Sequence, residues 1–207
     1  MRITKISPCR TDRSRVMVYF EDRSDCKVDM LRAKALDLKP GCEIDEKVLP
    51  ELNEDSRRGK ARETAARALG RRNMSSAELM RKLKDKGIAE SDAEEAVQWA
   101  QDVGAIDDAA YAAMLLKHYR SKGFGDIRIR QEMTRRGISD DMCREILSEH
   151  ADMTEEILDF LRKKLKGNNP SPDDMRRLTA ALQRRGHSFS DIRAAFGQLE
   201  IEMEDTY

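Results

Sequence analysis

The feature of this 207-residue sequence that most constrains its fold is a layout that recurs three times at a spacing of about fifty residues. In each copy, basic residues precede a glycine, and a short polar gap and an apolar run follow it. Glycine adopts the left-handed conformation that ends a helix, so each copy predicts a helix, a stop and a second helix. Apolar residues stand eight and four positions before each glycine, a spacing that places them on one helix face. The glycines are Gly87, Gly137 and Gly186, and the apolar pairs are Leu79 and Leu83, Ile129 and Met133, and Leu178 and Leu182.

A further helix is predicted upstream of each layout. The helix pattern covers residues 61–73, 108–121 and 155–166. A pair of helices would leave an apolar face in water, and a third helix can cover it. The sequence therefore predicts a mainly α protein with three tandem three-helix repeats that form an elongated, curved array. The predicted repeats span residues 57–106, 107–152 and 153–207.

Residues 1–56 have a different pattern and predict a small N-terminal extension with a β-hairpin and a short helix. The segments "RVMVYF" (15–20) and "CKVDM" (26–30) alternate apolar and polar residues around a polar turn. This alternation is typical of a hairpin, and "ITKI" (3–6) is a candidate third strand. Asp45 is a candidate cap for a short helix that Pro50 disturbs.

Helix ends are marked by side chains that cap free backbone groups. Ser75-x-x-Glu78 and Ser91-x-x-Glu94 have the spacing of capping boxes. Ser171 precedes a proline, which favours the first turn of a helix. Glycines at the expected helix ends are Gly87, Gly104, Gly123, Gly137, Gly167 and Gly186.

Charge is sorted by helix, although the net charge is zero. Residues 57–86 contain eleven basic and three acidic residues, whereas residues 87–108 contain no basic and seven acidic ones. The later repeats follow the same order, with two basic helices and then an acidic one. Acidic helices can simply pair with basic ones, at about 0–1 kcal/mol for each exposed pair. Alternatively, equivalent helices face one way, which gives a basic side that follows a polyphosphate backbone and an acidic side that meets basic protein surfaces.

The sequence contains no motif for catalysis, a cofactor or a metal. The four cysteines have no C-x-x-C spacing, and we expect them to be reduced thiols. The acidic pairs Asp107–Asp108 and Asp140–Asp141 favour helix N-caps over catalytic carboxylates. Trp99 lies in an acidic helical stretch and is interpreted as a packing residue. We expect a protein that is not an enzyme.

Targeting and membrane signals are also missing from the sequence. No apolar run approaches the roughly 20 residues of a membrane span. The N-terminus "MRITKISPCRTDRSR" lacks the apolar region of a signal peptide. We expect a cytoplasmic protein without a membrane partner.

Four segments together resemble the RecX family of bacterial regulators. They are "RRNMSSAELMRKLKDKG" (71–87), "DDAAYAAMLL" (107–116), "KGFGDIRIRQEMTRRGI" (122–138) and "LQRRGHSFSDI" (182–192), and the resemblance covers about residues 61–200. It implies an all-helical repeat protein that binds along the groove of the RecA–single-stranded-DNA filament. It also implies inhibition of the recombinase ATPase and of strand exchange, or destabilisation of the filament, in DNA repair and the SOS response.

Individual positions match the family motifs and carry over only as motif positions. Asp107, Asp108 and Tyr111 match a "DD-x-x-[FY]A" segment. His187 departs from the family pattern because it stands where the third repeat usually has an aromatic residue, and nearby Phe189 is expected to fill that space. The second-repeat signature is matched by Gly123, Ile129, Gly137 and Ile138.

Basic residues of the three repeats are the candidate contacts to recombinase and DNA. We expect a monomer, and two other functions stay open. One is direct DNA binding through a recognition helix, against which the acidic third helix argues. The other is a helical adaptor for an unrelated protein. The candidate contacts are Arg71, Arg72, Lys82, Lys86, Arg120, Lys122, Arg128, Arg135, Arg136, Arg184 and Arg185.

Overall fold

The computed structural model describes residues 1–10, 13–21, 25–148, 153–166 and 168–204. Within these residues the chain forms three β-strands and ten α-helices. The helices and strands group into two compact units, residues 1–106 and residues 107–207. The prediction of a mainly α protein with a small N-terminal β region is confirmed.

Three strands form the N-terminal antiparallel sheet, β1 (Ile3–Pro8), β2 (Arg15–Phe20) and β3 (Cys26–Asp29). Their order is β1-β2-β3. The predicted hairpin is therefore confirmed, and the candidate third strand is present as β1. Ile3, Val18 and Val28 are fully buried and form the centre of a separate small core. This alternation of buried and partly exposed positions is what the sequence pattern predicts.

A short helix and a long one follow the sheet, α1 (Met30–Ala35) and α2 (Leu49–Leu69), with a 3₁₀ turn at Glu46–Val48 between them. Pro50 lies in the first turn of α2, where a missing backbone N–H leaves no helical hydrogen bond unmade. The proline therefore begins the long helix and does not disturb one. The predicted bounds of 61–73 for this helix are wrong.

The first repeat consists of α2, α3 (Ser76–Asp85) and α4 (Glu90–Asp102). The capping box of α3 is confirmed, because Ser75 accepts from the Glu78 amide at 3.0 Å and Glu78 accepts from the Ser75 amide at 3.3 Å. The second predicted capping box is wrong, because α4 begins at Glu90 and Ser91 lies inside it. Trp99 packs against the repeat core, as predicted. That core is centred on Ala61, Ala65, Leu79, Leu83, Ala93, Ala96 and Ala100.

The second repeat consists of α5 (Asp108–Arg120), α6 (Asp126–Arg135) and α7 (Asp140–Ser148). The predicted N-cap at Asp107 is confirmed by its bond from the Ala110 amide at 2.9 Å. The predicted N-cap of α7 at Asp140–Asp141 is wrong. Ser139 caps this helix, because it accepts from the Met142 amide at 3.3 Å, and Asp140 lies in the first turn. The buried core residues are Tyr111, Ala112, Leu115, Leu116, Ile129, Met133, Ile138 and Cys143.

The third repeat consists of α8 (Thr154–Leu165), α9 (Pro172–Arg184) and α10 (Phe189–Glu204), again around its own core. Ser171 caps α9, as predicted, and accepts from the Asp174 amide at 3.1 Å. Lys166 ends α8 in the left-handed conformation. The predicted stop at Gly167 lies outside the described residues. The other predicted stops are confirmed by the positive φ of Gly87, Gly104, Gly123, Gly137 and Gly186.

The second and third repeats are joined through the backbones of two turns. The Gly125 amide donates to the Arg185 carbonyl at 3.0 Å, and the Ile127 amide donates to the Gly186 carbonyl at 3.0 Å. A Cβ atom on Gly125 would overlap the backbone of Gly186 and His187, and one on Gly186 would overlap Arg128. Glycine is therefore required at both positions by the close approach of the two turns.

His187 fills the joint between these turns. The ring is 5% exposed, and its Nε2 lies 3.3 Å from the Gly123 carbonyl oxygen. Because a carbonyl only accepts, Nε2 carries the proton, and Nδ1 is a buried acceptor without a partner among the described residues. Phe189 is 62% exposed, so the expectation that it fills the space is wrong.

Candidate partner-binding surface

A basic groove lies between α2 and α3 in the first repeat. Its volume is about 240 Å³. One wall follows a single face of α2 and the turn after it, and the other wall comes from the C-terminal end of α3 and the residues that follow it. We call this the basic groove, and its lining residues are Lys60, Thr64, Arg67, Ala68, Arg71, Lys82, Lys86 and Ile88.

The cations of the basic groove are mostly unpaired. Arg67 forms an ion pair with Glu63 at 2.7 Å. The other four cations make no ion pair with any residue in the described ranges. Concave walls that carry one sign of charge concentrate the electrostatic field and attract oppositely charged ligands. The unpaired cations are Lys60, Arg71, Lys82 and Lys86.

A second face of α2 has the opposite character because its arginines pair internally. Arg57 contacts Asp92 at 3.3 Å, and Arg58 contacts Glu95 at 2.9 Å. Arg62 also pairs with Glu95. These contacts join the basic α2 to the acidic α4. Internal pairing therefore accounts for the charge sorting on this face of the first repeat, and it does not account for the basic groove.

Arg72, the fourth predicted contact of the first repeat, lies beside the start of α3. Its guanidinium makes two bonds to the Glu78 carboxylate, at 3.2 and 3.1 Å. Glu78 is the residue that completes the capping box. Arg72 is therefore held by the helix terminus and does not line the basic groove.

In the second repeat, two predicted contacts converge on one buried carboxylate. Arg128 and Arg135 contact Glu132 at 3.3 and 2.5 Å. The Tyr119 hydroxyl lies 3.4 Å from the same carboxylate, which is 10% exposed. Because Glu132 offsets their charge, these two arginines are weaker candidates for contacts to phosphate.

The other predicted contacts of the second repeat pack against protein groups. Arg120 is 16% exposed and pairs with Asp126 at 3.2 Å. Arg136 donates to the Tyr111 hydroxyl at 2.9 Å. Lys122 is exposed, and its Nζ lies 5.9 Å from the centre of the Tyr119 ring. Arg120 and Arg136 thus have clear structural roles.

The two predicted contacts of the third repeat differ from each other. Arg185 lies over the Phe160 ring at 4.6 Å, a cation–π contact. Arg184 is exposed and makes no ion pair within the described part of the chain. Arg71, Lys82 and Lys86 are therefore the predicted residues that the fold brings into one site. Sequence reasoning missed Lys60 and Arg67, although their spacing places both on one face of α2, just before Arg71.

The described residues contain no grouped metal ligands, and burial suppresses ionisation of the Cys26 thiol. Among the described residues, no three histidine, cysteine or acidic side chains are grouped to hold a metal ion. Burial, with a contribution from Asp25, raises the pKa of Cys26 to about 11, so this thiol stays protonated at neutral pH. Over the same residues, no helix has the length and apolar character that crossing a membrane requires.

The fold defines a tandem three-helix repeat protein with a cationic groove in its first repeat. Residues 61–99 match the family model described as "RecX, first three-helix domain", and residues 107–147 match "RecX, second three-helix domain". The Regulatory protein RecX of Xanthomonas campestris pv. campestris (strain B100) is 35% identical over 154 residues, which cover 72% of this chain and 93% of that protein. The chain belongs to the RecX family.

More distant relatives extend the similarity over almost the whole chain. The Regulatory protein RecX of Bacillus licheniformis is 28% identical over 208 residues, which cover 98% of this chain and 79% of that protein. A solved structure, "Crystal structure of regulatory protein RecX", superposes with a TM-score of 0.73 at 21% identity and covers 94% of this chain and 98% of that one. RecX from Lactobacillus salivarius superposes with a TM-score of 0.65 at 19% identity and covers 70% of this chain and 97% of that one. The fold is therefore that of known RecX structures.

Proposed function

We propose that this protein is a non-catalytic regulator that binds the RecA–single-stranded-DNA filament and lowers its ATPase and strand-exchange activity. Membership of the RecX family supports this proposal, since its members are named regulatory proteins. The observation that carries the proposal is the basic groove, whose unpaired cations favour an anionic partner. A filament on single-stranded DNA offers phosphates along its groove.

In this proposal, the basic groove holds the phosphodiester backbone of the DNA in the filament. Arg71 supplies a guanidinium that can bind a phosphate through two hydrogen bonds, and Lys82 and Lys86 act as point charges. Lys60 and Arg67 complete the opposite wall of the groove. Each phosphate contact releases counterions from the DNA, so binding weakens as salt rises.

Contacts from the later repeats add to this site as weaker ones. Arg184 and Lys122 are exposed and are the next candidates to meet phosphate or recombinase carboxylates. Several weak contacts on one chain raise the overall affinity, because the second contact forms at a high effective concentration. Arg120 and Arg136 contribute indirectly, by fixing the helices that carry the exposed residues.

The direct test is an ATPase assay of the recombinase on single-stranded DNA with increasing amounts of this protein. We expect the rate to fall to a plateau at saturation. An unchanged rate, together with no co-sedimentation with the filament, would rule out the proposed function. Free single-stranded DNA in a parallel binding assay separates filament binding from direct DNA binding, since stronger binding to free DNA favours the direct binder.

The basic groove is tested with a triple variant, Arg71→Gln, Lys82→Gln and Lys86→Gln. For single-stranded DNA each lost phosphate contact lowers the salt slope of binding by about 0.7, so the triple variant should lose about 2. Lys84→Gln is the matched control, because Lys84 is on the same helix, is exposed and pairs with Glu90 outside the groove. A triple variant with the wild-type salt slope would show that the groove does not contact DNA.

A further inference from the structure

An open apolar groove lies between the first and third helices of the second repeat. Its volume is about 710 Å³, and its lining consists of α5 and α7 residues. Three exposed alanines, Ala109, Ala110 and Ala113, form a flat shelf on α5, and Met142 and Ile146 line the groove from α7. We call this the α5–α7 groove. Contiguous exposed apolar surface of this kind marks an interaction site on a protein.

The equivalent helices of the first repeat enclose a pocket of about 510 Å³ whose lining is largely charged. There, α2 presents Arg58 and Arg62 to the carboxylate of Glu95 on α4. Arg15 of the sheet lies against Gly59, with its guanidinium donating to the Asp55 carbonyl at 2.5 Å. This first-to-third-helix face of the first repeat is therefore lined by charged side chains of α2 and α4 and by residues of the N-terminal sheet.

The second repeat keeps the carboxylate and lacks the arginines. Glu145 follows Glu95 by fifty residues and lines the α5–α7 groove opposite Ala109 and Ala113. Glu145 makes no ion pair with any described residue. A carboxylate beside an apolar groove favours a ligand that brings its own cation, as α2 does for Glu95. At the other end of the groove, Lys117 is exposed and makes no ion pair with a described residue, so it favours an acidic group.

We infer that the α5–α7 groove binds an amphipathic helix of a recombinase subunit, an inference that rests on the proposed function. The bound helix places an aliphatic face on the alanine shelf, a basic side chain on Glu145 and an acidic one on Lys117. A helix fits better than a strand because the groove has helical walls without a free strand edge. A strand there would leave its backbone groups unpaired, whereas a helix satisfies its own. Alanine on the shelf lets the two helices approach closely.

The test places arginines on the apolar shelf of the second repeat, beside its carboxylate, as the first repeat has arginines beside Glu95. In the double variant Ala109→Arg and Ala113→Arg, the new arginines cover the shelf next to Glu145. We expect binding to the recombinase filament to weaken by roughly tenfold or more, the effect of losing a central contact. The salt slope from the basic groove should persist. Ala194→Arg on the exposed face of α10 is the matched control, and it should bind like the wild type.

A second variant keeps the inference testable if the double variant misfolds. Glu145→Arg leaves the shelf open and reverses the charge that meets the basic side chain, and Glu145 is exposed, so the fold should persist. We expect weaker filament binding with an unchanged circular dichroism spectrum. Wild-type affinity in both variants would overturn the inference, while inhibition by the wild-type protein would still support the proposed function. A wild-type dimer in sedimentation that the double variant converts to monomer would also overturn it, since a second copy would then occupy the groove.

Discussion

The first and second repeats have the same three-helix layout and opposite surface chemistry. Each has its own core and a glycine with positive φ after its second helix. In the first repeat, the groove beside the second helix is basic, and the face between the first and third helices carries paired charges. In the second repeat, a buried glutamate offsets the cations of the second helix, and the face between the first and third helices is open and apolar. The fold thus fixes positions in the core and in the turns, and it leaves the surfaces free to differ in charge and polarity.

One pair of positions summarises the difference. Lys82 and Glu132 are fifty residues apart and occupy the same place in the second helix of their repeats. Lys82 is half-buried in the wall of an open groove, whereas Glu132 is buried and paired with Arg128 and Arg135. A change of sign at this position converts a surface with unpaired cations into an internally neutralised one.

The largest expected difference concerns the glycines that end the second helix of the repeats. Gly186 and Gly87 both have positive φ, but only Gly186 is in close contact with another segment. We expect Gly186→Ala to destabilise the second unit by about 3 kcal/mol, because backbone strain and overlap with Arg128 add. Gly87→Ala is the matched control, because its new Cβ has no atom within 4 Å. It should lower the free energy of unfolding of the first unit by about 1 kcal/mol.

Urea denaturation distinguishes the two units because Trp99 is the single tryptophan and reports on the first unit. Gly186→Ala should shift the transition followed by circular dichroism and leave the Trp99 transition in place. Equal losses for the two glycine variants would show that the close approach of the two turns contributes nothing.

Removing Glu132 should have the next largest effect. In Glu132→Ala, Arg128 and Arg135 lose a buried partner, and so does the Tyr119 hydroxyl. We expect a loss of about 2 kcal/mol in the free energy of unfolding. Lys82→Ala removes a cation without a paired carboxylate, and its effect on stability should stay within about 0.5 kcal/mol. Similar losses in the two variants would contradict the contrast between a neutralised and an unpaired position.

A smaller effect is expected on acidification, and only in the second unit. Burial lowers the pKa of His187, although its bond to Gly123 and the nearby Asp191 and Asp126 favour the charged ring, and Arg185 disfavours it. The folded protein therefore favours the neutral ring, and this preference contributes its full stability above the unfolded-state pKa of about 6.5. The contribution is lost as the pH falls through the lower pKa of the folded state. Histidine is absent from residues 1–106, so the Trp99 transition should lack this dependence.

The variant His187→Phe tests the assignment of this pH dependence. Phenylalanine keeps an aromatic ring in the joint and removes the titrating nitrogens. We expect the stability of the second unit to vary less between pH 7 and pH 5 in this variant. An unchanged pH profile would assign the effect to other groups.

The smallest expected effect concerns the start of the second helix. In the first repeat Ser75 caps α3, whereas in the second repeat Gly125 precedes α6 without a side-chain cap. Ser75→Ala should therefore cost about 1 kcal/mol in the free energy of unfolding of the first unit, measured by the Trp99 transition. The matched variant Ser76→Ala changes the neighbouring serine inside the helix and should cost less. If both cost the same, the cap is not the source of the stability.

Much of the fold was predictable because its signals are local. Helix α5 and helix α8 lie within one or two residues of their predicted bounds, since periodicity and glycine stops depend on neighbouring residues alone. The start of α2 was missed because Pro50 was interpreted as a disturbance, although the same residue favours the first turn of a helix. Ser91 fitted a capping motif, but the helix begins before it at Glu90, where the polar sequence offers several equivalent starts.

The site was less predictable because ion pairing depends on tertiary contacts. Arg128 and Arg71 look alike in the sequence, yet Arg128 has Glu132 as its partner and Arg71 has no carboxylate among the described residues. The joint between the second and third repeats was also missed. A glycine that is required by another segment, such as Gly125, has the same appearance in sequence as a glycine that only ends a helix.

The continuity of α2 has a practical consequence for dissecting this protein. The helix runs from Leu52, which is buried under the sheet, to Ala61 and Ala65 in the core of the first repeat. A truncation or a protease cut near residue 56 would therefore split one helix between two cores and expose both. Any fragment intended to carry Lys82 and its neighbouring cations has to begin with the first strand and retain the whole of α2.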